Sequence, residues 1–257
     1  MGDKPLIYYL LPAYNEEANI AALLGKISAT MKELGEEYET IVVDDGSKDR
    51  TAEIVESLKD VAHVRLFRHE TNRGLHESLR TGIAKFLRLS RNDDDILVTM
   101  DADNTHEPST APAMIELVRS GYDVVIASRY RPGSREVGLS FTRCFMSRVV
   151  NLMLAVLFRI RGARDYTCGY RAYRRSALSR AWKAYGDKFI ESETFSATAE
   201  ILLKMGKLGI RVAEVPFVLR YDQKGGMSKM RVIATVLDYF RLIMRVLRSS
   251  PRASAGD

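Results

Sequence analysis

Two carboxylates, two residues apart, close an apolar run: Leu97-Val98-Thr99-Met100-Asp101-Ala102-Asp103. Asp93-Asp94-Asp95 precedes the run and Asn104-Thr105-His106-Glu107-Pro108 follows it. The pattern predicts a strand with Asp101 and Asp103 at its carboxyl end, where open α/β sheets bind ligands. Hard oxygen donors in that place suit Mg²⁺ or Mn²⁺ held against a diphosphate. An isolated Asp-X-Asp is equally well a helix cap at Asp103 beside a solvated Asp101, so its surroundings have to decide.

The elements that position this pair read as an alternation. Leu6 to Leu11 is a buried strand ended by Pro12. Asn15 then reads as the N-cap of a helix carrying Ile20, Leu23, Leu24, Ile27, Met31 and Leu34 until Gly35. Thr40 to Val43 is a second strand, ending in Asp44-Asp45-Gly46-Ser47, with a helix from Thr51 to Leu58. Val64 to Phe67 is a third, followed by the Asn72-Arg73-Gly74 turn and a helix over Leu75 to Leu89. Ile96 to Met100 is the fourth and Val124 to Ala127 the fifth, ending at Ser128-Arg129. Strands alternating with helices predict an α/β fold with a mostly parallel central sheet and the acidic loops gathered at one edge. Neither a Gly-x-Gly-x-x-Gly turn nor a P-loop is present, so a nucleotide must be held by other means.

Composition narrows the function. A chain of 257 residues, 46% hydrophobic, suits one large domain. Two cysteines, Cys144 and Cys168, make no disulfide framework or metal knuckle, and the N-terminus has no secretory pattern. No apolar run is expected to reach the 18 to 20 or so residues needed to cross a bilayer. The net charge of +6 divides unevenly: residues 1–128 carry 14 Lys/Arg against 23 Asp/Glu, leaving 25 against 10 in the remainder. A basic half points to an anionic partner. Nucleic acid is not expected, because no zinc finger, helix-turn-helix or RNP-like pattern occurs.

The motifs Pro12-Ala13-Tyr14-Asn15-Glu16, Val43 to Thr51, Asn72-Arg73-Gly74, Asp101-Ala102-Asp103 and Ser128-Arg129-Tyr130 fall in the order and spacing of family 2 glycosyltransferases of GT-A fold. Asp165 to Arg174, Glu214-Val215-Pro216 and Gly226-Met227-Ser228-Lys229-Met230 resemble the dolichol-phosphate (polyprenyl-phosphate) mannose synthase branch. Together these stretches cover about residues 5 to 231. The resemblance implies a GT-A core over 1–227, a C-terminal amphipathic helix over 228–248 and a disordered tail over 249–257. It implies inverting, metal-dependent transfer of a hexose, mannose from GDP-mannose, onto a polyprenyl or dolichyl phosphate at the cytoplasmic face of a membrane. Pro12, Tyr14, Glu16, Val42 and Asp44 would take the base and ribose. Ala102 and Arg220 would join the donor site, with Asp101, Asp103 and Thr105 holding Mg²⁺ or Mn²⁺. Arg129 and Lys229 would act with the two aspartates in catalysis, and Arg129, Arg143 and Ser147 would take the acceptor phosphate. Two departures stand out: Thr105 replaces the branch's usual Gln, and the segment after Arg220 is a few residues longer.

The residues of the basic half carry an acceptor reading of their own. Arg143, Ser147 and Asn151 recur every four residues and share one helix stripe. An ionised phosphate acceptor needs positioning and charge neutralisation rather than a base. A sugar hydroxyl acceptor, with UDP-glucose or another donor, would instead require a base such as Glu191, Glu193 or His106; Glu200 reads equally well as a helix-start charge. Arg211 to Leu219 is a predicted strand, and Trp182 reads as packing. From Lys229 to Arg248, Arg231, Thr235, Asp238, Arg241, Arg245 and Arg248 form a narrow polar stripe beside Val232, Ile233, Val236, Leu237, Phe240, Ile243, Met244 and Leu247. Such a helix would lie in a membrane interface, pack on the helix of Arg143, or meet a membrane-spanning partner subunit; ordinary core packing accounts for its apolar side equally well. A catalytically silent binding subunit is the reading from outside enzymes.

Overall fold

Seven strands form the central sheet of the computed structural model, which describes residues 5–194, 196–223 and 232–251. In chain order the elements are β1 (Ile7–Ala13), α1 (Ile20–Leu34), β2 (Tyr38–Asp44), α2 (Thr51–Ser57), β3 (Val64–Arg68), α3 (Leu75–Leu89), β4 (Ile96–Thr99), α4 (Ala111–Arg119), β5 (Val124–Ser128) and β6 (Arg135–Val137). Then come α5 (Phe141–Phe158), β7 (Arg171–Arg174), α6 (Arg175–Tyr185), α7 (Ala197–Gly206), β8 (Val212–Pro216), β9 (Val218–Arg220) and α8 (Val232–Arg248). The sheet order is β3-β2-β1-β4-β7-β5-β8, parallel except for β7, which runs antiparallel between β4 and β5. Continuous apolar runs in β1, β2, β4 and β5 are buried on both faces, as helices covering a parallel sheet require.

Gly82 of α3 shows how closely helix and sheet approach: a Cβ there would overlap the Leu10 side chain of β1. Trp182 meets Phe189 edge to face at 6.1 Å, which is packing, as expected. Neither cysteine is disulfide-bonded, and Cys168 is buried.

Four expectations change. Asn15 is not a helix cap: it has φ +56°, its side-chain oxygen accepts from Lys48 N at 2.9 Å, and α1 starts only after Asn19. The predicted strand over Arg211 to Leu219 is two strands in two sheets, because after β8 the chain leaves the main sheet and pairs β9 with β6. Pro12 does not end the first strand, because β1 runs through it to Ala13, opposite Asp44 of β2; strand β7 itself carried no alternation that marked it. Finally, α5 has 18 residues and a mean hydropathy of 1.5, enough by length and composition to cross a membrane. Arg143 and Arg148 interrupt the run in the sequence and hid this. Only 17% of the helix is buried, yet its polar stripe is bonded to the domain.

Helix α8 packs Tyr239, Leu242, Ile243 and Val246 inward and leaves Phe240, Met244 and Leu247 exposed. Its expected polar stripe divides too. Arg241 and Arg248 are exposed, whereas Asp238 and Arg245 bond to the segment that leads into α7.

Candidate active site

The site is built on the carboxyl ends of β1, β2 and β4. After β4, Met100 and Ala102 turn into the core, 1% and 3% exposed, so Asp101 between them turns outward. The Asp101 side chain is half exposed, and Asp103 is buried. Asp103 Oδ1 accepts from Thr105 Oγ1 at 2.7 Å and from Thr105 N at 3.2 Å. The turn is held by Asn104 in the left-handed region, φ +61°, with its amide donating to Asn19 O at 3.1 Å.

His106 is not the solvated loop residue its sequence suggests. It is 4% exposed, stacked on Tyr170 at 5.1 Å and met edge-on by Phe217. Its Nδ1 accepts from Asp101 N at 3.1 Å, so the proton of the neutral ring sits on Nε2, 3.8 Å from Asp101 Oδ2. It braces Asp101 from beneath. A Cβ at Gly169 would stand 3.7 Å from Asp101 Oδ1 and 3.4 Å from Thr198, so glycine leaves the approach to Asp101 open.

Two hard carboxylates, each oriented by a neighbour, fit a divalent cation that completes its shell from a diphosphate and water. Among the described residues no group of three or more His, Cys, Asp or Glu is placed to hold a metal ion. Thr105, the third expected ligand, has its hydroxyl proton committed to Asp103.

The expected base-and-ribose residues also gather. The loop after β1 is stitched to the loop after β2 by Asn15 N to Ser47 Oγ at 2.9 Å and Glu16 N to Thr51 Oγ1 at 2.8 Å. Pro12 and Tyr14 are half-buried beside them, and Val42 is buried in β2. Asp44 is fully buried: Oδ1 accepts from Ser47 N at 3.0 Å and Oδ2 pairs with Arg68 at 3.0 Å. Its neighbour Asp45 accepts from Arg73 N, Gly74 N and His69 Nδ1 at 2.9, 2.8 and 2.7 Å, and His69 reaches on to Thr81 at 3.0 Å. Sequence reasoning quoted Asp45 but gave it no role, and nothing local links it to His69. Gly46 between them is obligatory, since a Cβ would lie 2.6 Å from the Thr71 carbonyl carbon.

On the acceptor side Arg129 is locked. Its Nε and Nη2 donate to Asp165 at 2.8 and 2.7 Å, and Nη2 also reaches Thr167 Oγ1 at 2.6 Å. Burial pushes the Asp165 carboxyl up, but the Arg129 guanidinium and several N–H donors outweigh it and hold it below the usual carboxylate range. Ser147 bonds to Tyr130 OH at 3.0 Å, and Asn151 donates to that hydroxyl at 3.1 Å and to Thr167 at 2.9 Å. The expected stripe of α5 therefore does face the domain. Arg143 donates to Tyr221 OH at 2.8 Å, and Arg220, one residue earlier, donates its backbone N–H to Thr105 O at 3.0 Å. The Arg220 side chain is engaged by Asp222 at 2.9 Å. Lys229, with Gly225 and Gly226, lies outside the described residues.

Glu200 is a structural group rather than a free helix-start charge. It is 0% exposed, accepts from Glu191 N and Ser192 N at 2.8 and 2.7 Å, and pairs with buried Lys204 at 2.7 Å. Glu191 shares that lysine at 2.8 Å.

Residues 9–182 match the model of Glycosyl transferase family 2. The chain belongs to glycosyl transferase family 2. It is 31% identical over 226 residues to an undecaprenyl-phosphate mannosyltransferase of Micrococcus luteus, covering 86% of each. It is 30% identical over 240 residues to a dolichol-phosphate mannosyltransferase of Pyrococcus furiosus; that is 93% of this chain, which spans only 63% of the relative's length. Its fold is similar to that of glucosyl-3-phosphoglycerate synthase from Mycobacterium tuberculosis, solved with Mg²⁺ and UDP. There the TM-score is 0.62 at 21% identity, over 95% of this chain and 79% of the other. The family 2 fold is thus GT-A, as the motifs implied.

Proposed function

We propose that this chain transfers a hexose, mannose from GDP-mannose, to the phosphate of a polyprenol, giving a lipid-linked monophosphate sugar with inverted anomeric configuration. One observation carries the reading. The short turn Arg220–Tyr221 joins the acidic strand end, through Thr105, to the basic stripe of α5, through Arg143. Carboxylates suited to a metal-bound diphosphate and cations suited to a phosphate acceptor therefore flank one turn.

Mg²⁺ or Mn²⁺ on Asp101 and Asp103, when bound, neutralises charge gathering on the departing diphosphate. Thr105 and His106 hold those two carboxylates in place. Tyr14, Glu16 and Asp44 frame the base and ribose, with Arg220 toward the diphosphate. The Arg129 charge, Arg143 and Ser147 position the acceptor phosphate. One of its oxygens forms the bond to the anomeric carbon as the bond to the diphosphate oxygen breaks, and the electron pair leaves with the nucleoside diphosphate. The ionised acceptor has no proton to lose, so no base is required.

The exposed side chains of α5 and α8, among them Phe141 at 82%, Leu152 at 67% and Phe240 at 62%, support a peripheral seat on the cytoplasmic face of a membrane, where the lipid acceptor resides. A membrane-spanning partner subunit would meet the same face.

The test is transfer of labelled sugar from GDP- and UDP-hexoses to a polyprenyl phosphate in detergent, with Mn²⁺ or EDTA, for wild type and Asp103→Ala. Transfer from GDP-mannose, abolished by EDTA and by the substitution, is expected. Transfer only from UDP-glucose, or only to a hydroxyl acceptor, would replace the donor or acceptor assignment.

A further inference from the structure

The segment between α6 and α7 runs from the loop that Asp45 holds toward Asp101. At one end the Glu193 carbonyl oxygen lies 3.6 Å from where a Cβ of Gly74 would be, against the loop that Asp45 holds. At the other end Thr198, in the first turn of α7, faces Gly169 and through it Asp101. The segment therefore walls the space beyond Asp101, where a sugar attached to a metal-bound diphosphate has to lie.

From within, this wall is fixed by Glu200 and Lys204. From without it is fixed by α8. Asp238 Oδ2 accepts from Ser196 Oγ at 2.6 Å and from Thr194 Oγ1. Arg245, seven residues on and on the same face, donates to Ser192 Oγ at 2.9 Å and stands 3.9 Å from Glu200. Ser192 and Ser196 are each 1% exposed, so these are buried hydroxyls whose hydrogen bonds are strengthened by charge.

We infer that Asp238 and Arg245 are positioning residues for the donor sugar: through Ser192, Thr194 and Ser196 they set the wall against which the hexose, but not the nucleoside diphosphate, is held. This deepens the proposed function and rests on it. Neither residue touches the reacting atoms, and both belong to a helix whose other face is exposed and apolar.

The experiment compares the 257-residue chain with its Asp238→Ala, Asp238→Asn, Arg245→Met and Lys207→Met variants. The last is a control: Lys207 bonds to α8 carbonyls, including Ser249 O at 2.6 Å, and does not reach the wall. Dissociation constants are measured with Mn²⁺ for GDP and GDP-mannose and for UDP and UDP-glucose, alongside KM and kcat for transfer. In Asp238→Ala and Arg245→Met the nucleotide-sugar affinity should fall about tenfold while nucleoside diphosphate affinity stays within about twofold. Asp238→Asn, which keeps an acceptor oxygen, should recover part of the loss, and Lys207→Met should leave the ratio unchanged. An unchanged ratio in Asp238→Ala and Arg245→Met, or an equal change in Lys207→Met, overturns the inference alone. A wild-type chain that binds diphosphates but no nucleotide sugar overturns the proposed function and this inference together.

Discussion

The loops proposed to bind the nucleotide and the helix proposed to meet the acceptor are built on opposite terms. In β1, β2, β4 and β5 nearly every residue is buried, and carboxylates such as Asp44, Asp45 and Asp103 are met within a few residues or by an adjacent loop. On α5 only Val150, Asn151 and Leu154 are buried, and Phe141, Phe145, Leu152 and Val156 face outward at 82, 55, 67 and 57%. The first region is complete in itself. The second leaves apolar area that none of the described residues covers, and it is held to the domain by Val150 and Leu154 in the core and by Arg143, Ser147 and Asn151 bonded to Tyr221, Tyr130 and Thr167.

That contrast can be broken by substitution. The largest effect falls on the self-contained side: Asp103→Ala should lower transfer at least about a thousandfold, roughly 4 kcal/mol of barrier, with the melting temperature nearly unchanged. Kinetics and a thermal melt on the same preparation check both halves of that statement. At the boundary, Asp165→Asn leaves Arg129 buried without its counter-charge and should cost about 3 kcal/mol in denaturant unfolding. Asp165 is held below the ordinary carboxylate range, so its contribution is present above about pH 4, the unfolded value, and is lost as pH falls through the depressed folded value. Acid titration of the wild type should therefore show a loss of stability below pH 4 that the Asn variant lacks.

On the open side the outcome reverses. Phe141→Ser with Phe145→Ser should leave unfolding free energy within about 0.5 kcal/mol. Sedimentation with anionic vesicles should show binding reduced at least about a hundredfold, since each exposed Phe is worth roughly 1.5–3 kcal/mol when buried. The smallest test is chemical. Burial, reinforced by the Asp165 charge, pushes the Cys168 thiol up to about 12, so a thiol reagent at pH 8 should titrate only Cys144 in the folded chain and both cysteines in denaturant.

The same contrast governs what could be read from sequence. Buried strands announce themselves as apolar runs, and α3 over Leu75–Leu89 and the strand end at Asp101 were legible because burial and spacing coincide there. Asn15 was misread because its partners, Ser47 and Lys48, are about thirty residues away and pull it out of the helix. Phe217 hid the break between β8 and β9, since an apolar residue continues a strand pattern whichever sheet it serves. Asp45 with His69, and His106 beneath Asp101, depend on loops meeting in three dimensions. Their sequence signal was no more than a polar residue near a motif.

Strand β7 has a consequence for how the chain is made. Ile96–Thr99 acquires its second neighbour only from Arg171–Arg174, some seventy residues later. During synthesis β3, β2, β1 and β4 can assemble first, leaving β4 as an apolar edge with unpaired backbone groups. Nor can β5 join the sheet before β7 inserts, because it reaches β4 only through that strand. Closure thus waits on one late, four-residue, arginine-flanked strand. Refolding should be limited by that long-range antiparallel insertion, and the half-made sheet is the species most exposed to aggregation.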